Sequence, residues 1–150
     1  MSTVKYAEDL AVGDVVELGS HTVSKAELLD FAGAWDPQEF HVEPEAAEKG
    51  WFGGLIASGI HSMAVLQRLS VDGWYRDVSV ICGRDLRDVR FLRPVRPDDT
   101  LTGSIVVDDV VLDDHGRGLV TTTSELRKAD GPVVLSVVTD LYVRRRPAEG

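Results

Sequence analysis

SGIHSMAVLQRLSVDG, residues 58–73, reads as one helix that is apolar around most of its circumference. Ile60, Met63, Ala64, Val65, Leu66 and Leu69 spread over the helical wheel instead of forming one narrow stripe. Such a helix belongs inside a molecule, and we expect it to be the most buried helix here. Ser58 suits its N-terminal cap and Gly73 its stop.

Upstream, DVVELGSHTVS is strand-like, and a helix follows from Ser24. Ser24 and Glu27 fit a capping box, and Val23 with Leu28 fits a hydrophobic staple. Leu28, Phe31, Ala32 and Trp35 recur at helical spacing until Pro37 forces Asp36 out of helical geometry. A short helix is expected from Pro44 to Lys49, with Gly50 as its stop. Downstream, LRDVRFLRPV, TLTGSIVVDDVVL, GLVTTTSELRK and VVLSVVTDLYVRR are strand-like. The short links RPDD, DDHG and ADGP imply an antiparallel meander. About five strands and one buried helix make an α+β fold in which a curved antiparallel sheet wraps the helix. No repeat, linker or low-complexity segment divides residues 1–150, so one domain is expected, with RRRPAEG as a frayed tail.

Bulk properties exclude several classes. The formal net charge of -9 disfavours a nucleic-acid binder or a membrane-surface binder, both of which need a positive field. The only cysteine, Cys82, rules out an intrachain disulfide and is expected to pack in a strand or the core. No apolar run is long enough for a transmembrane helix, and MSTVKYAEDL has no apolar signal core. A cytoplasmic protein is the simplest expectation.

Chemistry concentrates in WDPQEFHVEPEAAEKGWFGGLIASGIH, residues 35–61. Asp36 and His41 stand five residues apart in a proline-marked stretch that no regular helix should cross. An acid and a base on one bend can share a water molecule. The plainer alternative makes Asp36 an Asx-turn residue and His41 a loop histidine with a satisfied partner. His61 reads as a packing or supporting residue, and His21 and His115 as strand and turn-tip residues. The spacing of His41 and His61 has no metal-ligand pattern. Ser58 lacks the flanking glycine of a nucleophile elbow, and reads as a cap within reach of substrate.

Asp36-x-x-x-x-His41, FGGLIASG and VRFLRPVRPDDTL, in this order, resemble the MaoC-like dehydratases, the (R)-specific enoyl-CoA hydratase group of the hotdog fold. The resemblance spans the first helix to the last strand. Many members carry Asn-Pro before the histidine and His-Gly at the helix start. Here Glu39-Phe40 and Ser58-Gly59 stand in those places, which fits a divergent subgroup. The resemblance implies that Asp36 and His41 activate a water and that the Gly59 N–H binds the thioester oxygen. It implies an acyl-thioester substrate, carried on coenzyme A or acyl carrier protein, and no metal or redox cofactor. It also implies a homodimer or a dimer of dimers, as the open edges of one curved sheet independently suggest.

Apolar Trp51, Phe52 and Leu55 flank the bend, and at least one is expected to line an acyl pocket. Arg84, Arg87, Arg90, Arg93 and Arg96 recur every third residue. On a strand they divide between two faces. They pair with Asp85, Asp88, Asp98 and Asp99, or bind coenzyme A phosphates, for which the guanidinium fork is well shaped; Arg84 and Arg87 are our candidates. Two other classes remain open: a hotdog thioesterase, and a non-catalytic acyl-thioester-binding subunit.

Overall fold

The computed structural model describes residues 3–148. The chain forms strand β1 (Val15–Thr22) and helices α1 (Lys25–Trp35), α2 (Glu39–Val42), α3 (Pro44–Lys49) and α4 (Gly59–Gly73). Strands β2 (Val80–Phe91), β3 (Thr100–Leu112), β4 (Arg117–Lys128) and β5 (Val133–Arg144) follow. All pairings within the five-stranded sheet are antiparallel, in the order β1-β3-β4-β5-β2. Curved around α4, the sheet is a hotdog fold of the α+β class.

The meander expectation holds for β3, β4 and β5 and fails for β2. RPDD closes no hairpin. Instead Asp98 and Asp99 exchange backbone hydrogen bonds with Val23, which seats the chain beside β1. Residues 92–99 therefore carry the chain across the sheet from β2 to β3. Three inter-strand steps of about 4.8 Å need roughly 14 Å, and eight extended residues reach about 26 Å.

Alternation along β3 and β4 sends Leu101, Ile105, Val107, Val120 and Leu126 inward. Val65, Leu66 and Leu69 of α4 meet them in one core. Six residues of α4 are buried, against two in α1 and one each in α2 and α3. Its apolar surface is not fully enclosed, however, since Ile60 is 59% exposed and Ala64 is exposed. The wheel counts apolar residues but cannot say which side of the helix a single sheet covers.

Strand β2 is an edge, exposed along nearly its whole length. Cys82 lies on it and is exposed, contrary to the packing expected of it. The tail is also less free than expected. Arg144 ends β5, Arg145 pairs with Glu8, and Arg146 pairs with Asp9 and packs on Tyr6. The arginines find carboxylates on the first turn of the chain, a partnership with no local sequence signal. Glu149 and Gly150 lie outside the described residues.

Candidate active site

Asp36 is the C-terminal cap of α1, its N–H bonded to the Ala32 carbonyl at 2.8 Å. Pro37 then turns the chain, and His41 sits in the single turn α2, so a one-turn helix occupies the stretch expected to be irregular. The Asx-turn alternative is not what the carboxylate does. Oδ1 accepts from Gln38 Nε2 at 2.7 Å, and Oδ2 accepts from Ser58 Oγ at 2.8 Å. These two hydrogen bonds outweigh desolvation and hold the Asp36 carboxyl below its usual range. It is a carboxylate at neutral pH.

His41 is buried, with Nδ1 2.7 Å from the Ile56 carbonyl oxygen. A carbonyl oxygen only accepts, so Nδ1 carries the proton and donates. In the neutral ring, Nε2 then presents a lone pair, 3.4 Å from Asp36 Oδ2. Two acceptor atoms thus face one another, the arrangement that can grip a molecule with two O–H donors. Phe40 packs edge-on to the imidazole at 4.3 Å.

Ser58 is fully buried and joins the two halves of the site. Its hydroxyl donates to Asp36 while accepting from the Ile60 N–H at 3.2 Å, which caps α4. Gly59 opens α4, and its N–H has no acceptor among the described residues. This free donor stands at the positive end of the helix dipole. A Cβ on Gly59 would lie 2.6 Å from the Phe91 ring, so a larger residue there requires that ring to move.

His41, Gly59 and Ser62 face a cavity of about 240 Å³ whose apolar walls include Phe52, Phe91 and Leu92. Of the three expected apolar residues, Phe52 lines this cavity, Leu55 is buried outside it, and Trp51 projects into solvent at 96% exposure. The arginines separate too. Arg87 is bound bidentately to Asp140 at 2.7 and 3.1 Å, and Arg84 lies 3.5 Å from Asp85. Neither lines the cavity, whereas Arg93 does. Arg96 donates to the Phe52 carbonyl at 2.7 Å and so ties down the loop that carries Phe52. Phe91 was missed as a lining residue because the bulges of β2 shift which of its side chains share a face, and Arg93 because it lies past the end of that strand, where period-two alternation no longer applies.

A larger cavity, about 480 Å³, lies between β1, α1 and α4 and shares no lining residue with the first. Its wall holds His21, Glu27 and His61. Burial pushes the Glu27 carboxyl up, but hydrogen bonds from both histidines outweigh it and hold the group below its usual range. Among the described residues no cluster of histidine, cysteine and acidic side chains has a metal-binding arrangement, and no helix is long and apolar enough to cross a membrane.

Known proteins share this fold and sequence. Residues 9–129 match the MaoC like domain family. An uncharacterized protein of Bacillus subtilis, YdeM, is 37% identical over 115 residues, covering 76% of this chain and 81% of its own. The 3-hydroxyacyl-thioester dehydratase Z of Mycobacterium tuberculosis is 31% identical, covering 96% of this chain and 98% of its own. The crystal structure of a MaoC-like dehydratase from Rhodospirillum rubrum superposes with a TM-score of 0.88 at 36% identity, covering 96% and 99% of the two chains. The chain belongs to the MaoC-like hydratase and dehydratase family.

Proposed function

We propose that the protein is a lyase that adds water to an enoyl thioester, or removes it from a 3-hydroxyacyl thioester. The observation that carries this reading is the approach of Asp36 Oδ2 to His41 Nε2 at 3.4 Å, with His41 facing the same cavity as Gly59 although Asp36 does not line it. Water adds to a carbon–carbon double bond only when a conjugated carbonyl draws electrons from C3. Asp36 Oδ2 and His41 Nε2 hold the water and take its proton. The oxygen bonds to C3, the π electrons move onto the thioester oxygen, and the Gly59 N–H stabilises that developing oxyanion. Collapse of the enolate takes a proton at C2 from the same pair, so the water is fully accounted for. Dehydration runs these steps in reverse.

Phe52, Phe91 and Leu92 supply the apolar wall beside the polar centre. Coenzyme A or acyl carrier protein enters as part of the substrate. Arg87 is committed to Asp140, which leaves Arg84 and Arg93 as the candidates for phosphate contact. The chemistry draws on two side chains and one backbone donor, with no metal or redox cofactor, in a cytoplasmic homodimer. A short-chain enoyl-CoA tests the reading. Loss of the conjugated thioester absorbance supports hydration, release of free thiol means a thioesterase, and binding without either means a non-catalytic subunit.

A further inference from the structure

The two halves of the site come from different helices, Asp36 from the end of α1 and Ser58-Gly59 from the start of α4. Something must hold these helices in register. One turn into α4, the His61 ring stacks on Phe31 of α1, with centroids 4.6 Å apart and planes 12° apart. Its Nε2 lies 2.7 Å from Glu27 Oε2, also on α1. His21 of β1 approaches the same carboxylate at 2.8 and 3.0 Å. His61 Nδ1 is buried without a partner, so a proton there would be stranded. The proton therefore belongs on Nε2, which donates to Glu27. Deeper in the molecule Leu28 of α1 is buried in one core with Val65, Leu66 and Leu69 of α4. Toward His61, the cavity of about 480 Å³ is lined by Glu27 and Phe31 of α1 and by Val65 and Leu69 of α4. On the cavity side the His61–Phe31 stack and the His61–Glu27 hydrogen bond join the two helices.

We propose that His61 and Glu27 are positioning residues, a strut that fixes α1 against α4 and so sets the Ser58–Asp36 hydrogen bond and the separation of Asp36 from His41. The kinetic consequence rests on the hydratase reading; the geometric consequence does not. Loss of the strut lets α1 shift, and misplacement of about 1 Å near the chemistry costs on the order of 10²-fold in rate. The cavity wall around Phe52 and Gly59 stays in place, so substrate binding is spared.

Glutamine and asparagine separate the strut from simple packing. His61→Gln places an amide donor near the Nε2 position, whereas His61→Asn places it near Nδ1 and leaves Glu27 without that donor. Glu27→Ala removes the acceptor, and Glu27→Gln keeps one. With a short-chain enoyl-CoA, His61→Asn and Glu27→Ala should lower kcat by roughly tenfold or more while KM moves less than about twofold. The glutamine variants should restore most of the loss. Crystal structures of the His61 variants give a readout independent of turnover. The Ser58 Oγ to Asp36 Oδ2 distance should stay near 2.8 Å in His61→Gln and open beyond hydrogen-bonding range in His61→Asn. An unchanged distance in His61→Asn overturns the proposal, as does equal kinetic loss in His61→Gln and His61→Asn. If the wild-type protein hydrates no thioester, the hydratase reading fails alone, and the distances still judge the strut.

Discussion

Asp36 keeps its charge because two side chains, Gln38 and Ser58, donate to it. Its carboxyl is lowered in the folded protein, so its stabilising contribution is complete above the unfolded carboxyl value, about 3.9. That contribution is lost as pH falls through the lower folded value. Activity should therefore not decline through Asp36 protonation until the pH is below the ordinary carboxylate range. Ser58→Ala removes one donor and should move the acid limb of kcat/KM upward in pH, which a pH–rate profile from pH 3 to 7 reads. A limb that does not move would mean Ser58 serves only as the cap of α4. The acid–base pair was visible in the sequence as a spacing, but Ser58 was visible as a cap within reach of substrate and not as a partner of Asp36. Its hydrogen bond to Asp36 spans 22 residues and appears only when α1 and α4 meet.

At the scale of elements, the start of α4 is shaped by contact with the end of β2. Gly59→Ala would drive a methyl group into the Phe91 ring. Overpacking of this kind costs about 1–3 kcal/mol. Phe91→Ala opens space and should recover part of that loss, so the double variant should be less destabilised than the sum of the two. Chemical denaturation of all four proteins measures the coupling. Strict additivity would mean that the ring swings aside at no cost. The helices were legible from caps, prolines and periodicity. The place of β2 in the sheet was not, because a link of eight residues is compatible with both a loop hairpin and a crossing. Long-range pairing of Asp98 and Asp99 with Val23 decided it. For the same reason the threefold arginine repeat could not be divided between solvent, Asp140 and the cavity from spacing alone.

For the whole molecule, the unpaired edge of β2 carries Ile81, Leu86, Val89 and Phe91 exposed in the single chain. An edge so long and so apolar invites pairing with another strand. A homodimer joined through β2 should sediment as a dimer at micromolar concentration. Leu86→Lys should shift it toward monomer while each chain keeps its circular dichroism. A wild-type monomer would leave this edge to some other partner. The overall architecture was legible because one buried-type helix and β-rich strands with period-two patterning admit few arrangements. The exposed flank of α4 was not, since the sequence cannot state how far one sheet wraps.

The central claim is that Asp36 and His41 act on one water as a unit. It is tested by the hydration rate of a short-chain enoyl-CoA, followed by loss of its conjugated absorbance, in wild type, Asp36→Asn, His41→Ala and the double variant. General acid–base groups contribute about 10²–10⁴-fold. Each single change should lose at least that much with folding intact, and the double change should cost little more. Near-full turnover in Asp36→Asn with a lowered melting temperature, or single losses that multiply in the double variant, would contradict it.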